Sequence, residues 1–70
     1  MKIEFYNGAS YEIVEFPDYI AALTEMEKRL AEAEKKYSKS VYGLRKVQDG
    51  EYTTLIGKNK VVYFQMRIVD

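Results

Sequence analysis

The chain has 70 residues, of which 47% are hydrophobic and 31% charged, and its 11 basic and 11 acidic side chains cancel. This composition is typical of a globular protein and excludes a disordered chain, and zero net charge disfavours a binder of duplex nucleic acid. No apolar run approaches the roughly 18 residues of a membrane span. Glu4 interrupts the hydrophobic start, so we expect no signal peptide.

The residue types that carry most enzyme chemistry are missing. Histidine and cysteine are absent, which excludes the commonest general base, thiolate nucleophiles, disulfides and the usual transition-metal ligands. The segment 50–58 superficially resembles a phosphate-binding loop, but six residues separate its glycines where four are needed, and a strand pattern follows. We therefore expect a protein that is not an enzyme and has no cofactor or metal site. The lack of cysteine favours a cytoplasmic location.

The first two predicted strands form a hairpin around Gly8. Apolar and charged residues alternate over residues 1–5, as in a strand with one buried face. A two-residue loop would place Ile3 opposite Glu12 and mix the faces, whereas a three-residue loop with Gly8 in a left-handed conformation places Ile3 opposite Tyr11. We predict the three-residue loop.

A helix is predicted over residues 18–37, with Asp18 as its N-cap or, alternatively, with Pro17 at its first helical position. Its apolar side chains recur at alternating spacings of four and three, and the stripe comprises Tyr19, Leu23, Met26, Leu30, Ala33 and Tyr37, widened by Ala22. Pairs such as Glu25 and Arg29 lie on the solvent side and contribute only about 0.2–0.5 kcal/mol each. The stripe must therefore be held by burial against a sheet.

Three more strands are predicted, over residues 41–48, 52–56 and 61–69, with turns at 49–50 and 57–60. The last strand has a continuous apolar face formed by Val62, Phe64, Met66 and Ile68. Even-length turns place four more residues on this face: Tyr42, Leu44, Thr53 and Leu55. The right-handed crossover through the helix and the antiparallel hairpins favour the strand order 2-1-5-4-3. The sequence thus predicts a single α+β domain over residues 1–70, ββαβββ, with one helix packed on one face of an antiparallel five-stranded sheet.

The seven tyrosines are the most unusual feature of the composition. Four of them fall on positions predicted to face the core: Tyr11, Tyr19, Tyr37 and Tyr42. Tyr52 and Tyr63 do not fit core positions. They are predicted to lie with aliphatic and guanidinium side chains on an amphipathic outer face, defined as the sheet face opposite the helix. Its candidate binding residues are Arg45, Val47, Tyr52, Ile56, Val61, Tyr63, Gln65 and Arg67. Aromatic, aliphatic and guanidinium groups are enriched at protein interfaces, although a solvent-facing sheet also favours β-branched and aromatic residues.

Two functions compete for this surface. The first is a small non-enzymatic interaction module, adaptor-like or inhibitor-like, that binds itself as a homodimer or binds another protein through the outer face. The alternative is single-stranded nucleic-acid binding, with Tyr52 and Tyr63 stacking on bases while Arg45, Lys46 and Arg67 contact phosphates. Zero net charge and the predicted inward direction of Lys46 disfavour that alternative. No small-molecule ligand is inferred.

Overall fold

A computed structural model describes residues 1–37, 45–49 and 52–69. The described elements are β1 (Lys2–Tyr6), β2 (Tyr11–Glu15), α1 (Tyr19–Lys36), β3 (Arg45–Asp49), β4 (Tyr52–Ile56) and β5 (Val62–Ile68), with a 3-10 turn at Lys58–Lys60. The strands form one antiparallel sheet in the order β2-β1-β5-β4-β3, which confirms the predicted α+β fold. Within these ranges no helix has the length and apolarity that crossing a membrane requires.

Helix α1 begins as its sequence predicts and approaches the sheet through small side chains. The carboxylate of Asp18 accepts a hydrogen bond from the backbone N–H of Ala21 at 2.8 Å, which confirms Asp18 as the N-cap. Ala22 is completely buried and Ala33 nearly so. Met26 and Leu30 pack against the same core. Because alanine has a short side chain, the helix backbone can lie close to the strands beneath it.

The first turn of the predicted apolar stripe is not buried. Tyr19 is 59% exposed and Leu23 is 38% exposed, so the prediction that they face the core is wrong. Ala22 faces the sheet directly, and the next residue along a helix is rotated by about 100° around the axis. Leu23 therefore lies on the flank of the helix, and Tyr19, one turn earlier, lies on the same flank.

The core lies between α1 and the helix side of the central strands. Its buried members are Ile3, Phe5, Ala22, Ala33, Leu55, Phe64 and Met66. Leu55 pairs with Phe64 across β4 and β5, and Phe5 pairs with Met66 across β1 and β5. Both pairs lie on the face that the sequence predicts for them. The predicted core positions Tyr42 and Leu44 lie outside the described residues.

A β-bulge at the start of β5 changes the face of two residues. Ile56 pairs with Val62, while the preceding residue, Leu55, pairs with Phe64, so Tyr63 is the additional residue. Val62 consequently lies on the outer face, and its predicted place on the helix side is wrong. Tyr63 packs against the core instead, with its ring centroid 4.9 Å from that of Tyr37. The prediction that Tyr63 lies on the outer face is therefore also wrong.

The loop between β1 and β2 has four residues, not the predicted three. Tyr6 pairs with Tyr11, and Ile3 pairs with Val14. The side-chain oxygen of Asn7 stabilises the loop by accepting hydrogen bonds from the backbone N–H groups of Ala9 and Ser10, both at 3.0 Å.

This loop reverses the predicted faces of β2, because the register differs from the predicted one by an odd number of residues. Val14 packs against the core, whereas Tyr11 is 64% exposed and Ile13 is 60% exposed on the outer face. The prediction that Tyr11 faces the core is wrong.

Arg29 joins the helix to the hairpin. Its Nη1 donates to the carboxylate of Glu12 at 2.7 Å and its Nε donates to that of Glu25 at 2.8 Å, which confirms the predicted Glu25–Arg29 pair. Its guanidinium carbon lies 4.0 Å from the ring centroid of the buried Phe5, so the prediction that Arg29 lies on the solvent side of the helix is wrong. The hydrogen bond from Arg29 lowers the pKa of Glu25. The reversed register of β2 thus gives Glu12 a partner on the helix.

Gly8 is expected to resist substitution. Its φ is +95°, which confirms the predicted left-handed conformation, and an added Cβ would lie 3.3 Å from the backbone oxygen of Tyr63. Gly8→Val should therefore lower the free energy of unfolding by about 1–3 kcal/mol. Ala9→Ser, in the same loop, should change it by less than about 0.5 kcal/mol. Urea denaturation of both variants checks this, and a neutral Gly8→Val would contradict it.

Candidate functional site

The outer face collects five of the eight predicted binding residues. Cross-strand pairing aligns Val47 with Thr54 and Thr54 with Gln65. Tyr52 lies opposite Arg67, and Ile56 lies opposite Val62. The five predicted residues brought together here are Val47, Tyr52, Ile56, Gln65 and Arg67. They span the three strands β3, β4 and β5.

These strands enclose a shallow depression of about 290 Å³, which we call the outer hollow. It is lined by Val47, Tyr52, Thr54, Ile56, Val62 and Gln65. Thr54 is only 7% exposed although it faces away from the helix. Its hydroxyl accepts a hydrogen bond from the side-chain amide of Gln65 at 3.0 Å. The outer hollow therefore combines aliphatic walls with a satisfied polar pair.

Arg67 forms the border of the outer hollow toward β1. Its Nε donates to the carboxylate of Glu4 at 3.0 Å, and its Nη1 donates to the hydroxyl of Tyr52 at 2.7 Å. Its guanidinium carbon lies 5.2 Å from the ring centroid of Tyr52. The hydrogen bond to Glu4 raises the pKa of Arg67. The guanidinium is thus hydrogen-bonded on two sides, to the carboxylate of Glu4 and to the hydroxyl of Tyr52.

A second apolar group on the outer face was not among the predicted site residues. The rings of Tyr6 and Tyr11 lie 4.7 Å apart, and Ile13 is exposed beside Glu4, its partner on β1. The three-residue loop predicted for this hairpin assigned Tyr11 and Ile13 to the opposite face. The signal that could have corrected it is Asn7, a residue whose side chain often bonds the backbone two and three residues further on.

The other three predicted site residues lie elsewhere or are only partly described. The backbone of Arg45 pairs with Ile56 at the margin of the outer hollow. Val61 precedes β5 and, with Lys36 and Tyr37, lines a different hollow at the C-terminal end of α1. Tyr63 packs against the core on the helix side of the sheet.

Lys46, which the nucleic-acid alternative requires, pairs with Leu55, so it lies on the helix side of the sheet and is exposed there. In the described ranges, no group of three or more acidic side chains is arranged to hold a metal ion. A comparison with protein-family models, curated proteins and solved structures finds no match to this chain.

Proposed function

We propose that this protein is a small non-enzymatic interaction module, adaptor-like or inhibitor-like, that binds a protein through its outer face. The observation that carries the proposal is the outer hollow. Aliphatic groups of Val47, Ile56 and Val62 surround a hydrogen-bonded polar pair on a sheet face away from the helix. A partner side chain placed there would bury apolar area while the hydrogen bond between Gln65 and Thr54 is kept.

The border of the outer hollow supports a protein partner. Tyrosine and arginine are enriched among the residues that contribute most to protein interfaces, and both occur here as Tyr52 and Arg67. Because Arg67 is already held by Glu4 and Tyr52, binding would cost little additional side-chain entropy. The partner is a second copy of the chain or another protein.

Single-stranded nucleic-acid binding ranks below this proposal. It requires aromatic rings and available cations on one face, but Tyr52 and Tyr63 lie on opposite faces. Arg67 is paired with the carboxylate of Glu4, which would repel a phosphate. The outer face is therefore less suited to binding single-stranded nucleic acid than it would be with Tyr63 beside Tyr52 and with Arg67 unpaired.

The proposal is tested by the double variant Val47→Thr with Ile56→Thr. Threonine keeps a β-branched shape that suits a strand but removes apolar surface from the outer hollow. We expect the fold to be retained and the affinity for the partner to fall by about tenfold or more. Quantitative affinity capture identifies proteins retained by the wild type and lost by the double variant, while light scattering reports a change in self-association.

The matched control is Ile20→Thr, because Ile20 is 75% exposed on the helix, away from the outer hollow. It repeats the Ile→Thr change of the double variant at a distant position and should retain every partner of the wild type. A labelled single-stranded oligonucleotide, titrated at several salt concentrations, tests the alternative. Loss of oligonucleotide binding in the double variant, with protein capture unchanged, would replace the proposal with the alternative. Equal behaviour of the wild type, the control and the double variant would refute both functions.

A further inference from the structure

Among the described residues, β2 is the last strand on its side of the sheet, so one hydrogen-bonding edge of its backbone has no partner strand there. At one end of the β1–β2 ladder, Met1 and Phe16 exchange two hydrogen bonds, of 2.8 Å and 3.1 Å. At the other end, Asn7 N–H donates to the carbonyl of Ser10 at 3.3 Å. Bonded and non-bonded pairs alternate along an antiparallel ladder. Met1 with Phe16 and Asn7 with Ser10 are therefore both bonded pairs of one regularly alternating ladder.

This alternation determines which backbone groups of β2 point away from β1. Three residues of β2 fall in the non-bonded pairs and direct their N–H and C=O groups toward the outer edge: Tyr11, Ile13 and Glu15. The side chains of the same three residues are exposed on the outer face. The outward-pointing backbone groups of β2 and its exposed side chains, including the apolar Tyr11 and Ile13, therefore belong to the same three residues.

The edge of β2 lacks three of the features that usually protect a strand edge, namely lysine, proline and a bulge, and its charged residues are Glu12 and Glu15. Proteins discourage pairing with lysine, proline or a bulge at such positions. Residues 11–15 contain neither lysine nor proline, and their pairing with β1 is regular. The opposite edge strand, β3, carries Arg45, Lys46 and Asp49. The two edges of the sheet thus differ, and β2 is the one suited to pairing.

We propose that a second copy of this chain pairs with β2 in antiparallel orientation, with Ile13 on the two-fold axis. Ile13 then lies opposite Ile13 of the second copy, and Tyr11 lies opposite the second copy's Glu15. Every outward N–H and C=O of the three edge residues is used, because each becomes part of a bonded pair. The two sheets join into one continuous sheet of two chains.

The sequence of β2 is self-complementary in this arrangement. The exposed isoleucines cover each other at the axis, each Glu15 lies opposite a Tyr11 instead of another carboxylate, and each Glu12 lies opposite a Val14. Antiparallel pairing of two identical edges is related by a two-fold axis, which is the symmetry of most closed homodimers. Pairing β2 with β3 of another copy would be head-to-tail and need not close. This inference is independent of the proposed function, because it uses the strand edge and leaves the outer hollow open.

Cysteine cross-linking tests the register directly, because the chain has no cysteine. Bonded antiparallel pairs have Cα atoms about 5.5 Å apart, a distance that a disulfide spans. Ile13→Cys should therefore form a covalent dimer on mild oxidation. Tyr11→Cys should not link to itself, whereas a mixture of Tyr11→Cys with Glu15→Cys should form a heterodimer. Equal self-linking of Ile13→Cys and Tyr11→Cys, or none in any sample, would overturn the proposed register.

Charged substitutions of Ile13, at the axis, test the association without a covalent bond. Sedimentation of the wild type over about 1 µM to 1 mM should show a dimer, since an interface this small is expected to be weak. Ile13→Lys and Ile13→Glu should each weaken it by about tenfold or more through like-charge contact, and mixing the two variants should restore it. Circular dichroism confirms that both remain folded. A wild type that stays monomeric throughout, or mixed variants that do not associate, would refute the dimer. A wild type that stays monomeric would also exclude a second copy as the partner of the outer hollow, whereas binding of another protein there would remain to be tested by affinity capture.

Discussion

Leu55→Ala is expected to lower the free energy of unfolding by about 2–5 kcal/mol, the largest effect of any substitution considered for this protein. Leu55 is 1% exposed and pairs with Phe64 beneath the helix. Truncation removes buried methyl groups and leaves a cavity that the surrounding strands cannot fill. Urea denaturation, followed by circular dichroism, measures the loss.

The matched control is Leu23→Ala, on the flank of α1. Leu23 is 38% exposed, and alanine has a slightly higher helix propensity than leucine. We expect a loss of about 1 kcal/mol or less. Equal losses for the two leucines would show that the helix presents Leu23 to the core after all.

Ala22→Leu is expected to cost about 1–3 kcal/mol although it adds apolar surface. Ala22 is completely buried where α1 crosses the sheet. A larger side chain there must push the helix away from the strands or adopt a strained rotamer. The melting temperature should fall, and by urea denaturation the free energy of unfolding should fall with it.

Ala31→Leu provides the comparison for this helix substitution. Ala31 is exposed, so leucine meets no packed neighbour there and differs little from alanine in helix propensity. The change in stability should stay within about 0.5 kcal/mol. If Ala22→Leu is as neutral as Ala31→Leu, the helix does not pack as closely on the sheet as the structure shows.

The order of the strands follows from features that are strong in the sequence. The capped and periodic helix separates two groups of strands, and right-handed crossover limits how they can join. Alternating apolar residues from Phe64 to Ile68 then mark the helix side of the central strand. These signals extend over many residues, so no single loop can change the outcome.

The register of β1 with β2 could not be predicted in the same way. Strand β2 has apolar residues on both faces, with Tyr11 and Ile13 on one and Val14 on the other, so the pattern does not select a face. The choice depends on the loop, where the side chain of Asn7 bonds two backbone groups. A local polar contact therefore decides the orientation of the whole strand.

The bulge in β5 could not be predicted from the sequence for a related reason. Residues 61–64 are all hydrophobic, so an offset of one residue exposes no polar group and buries none. Val62 and Tyr63 thus exchange faces without changing the pattern. Five of the predicted site residues, among them Tyr52 and Arg67, still share the outer face. The observed pairing of β4 with β3 and β5 differs from the predicted pairing by an even number of residues, which keeps each side chain on its predicted face.

The pairing of β1 with β5 has a consequence for how the chain folds. The ion pair between Glu4 and Arg67 joins residues 63 positions apart, and β5, the last strand in sequence, lies at the centre of the sheet. The hairpins can form early from nearby residues, but the two halves of the sheet meet only after a long loop closes. Such non-local contacts slow folding. During synthesis on a ribosome, the edge of β1 that pairs with β5 would remain unpaired until β5 had been synthesised.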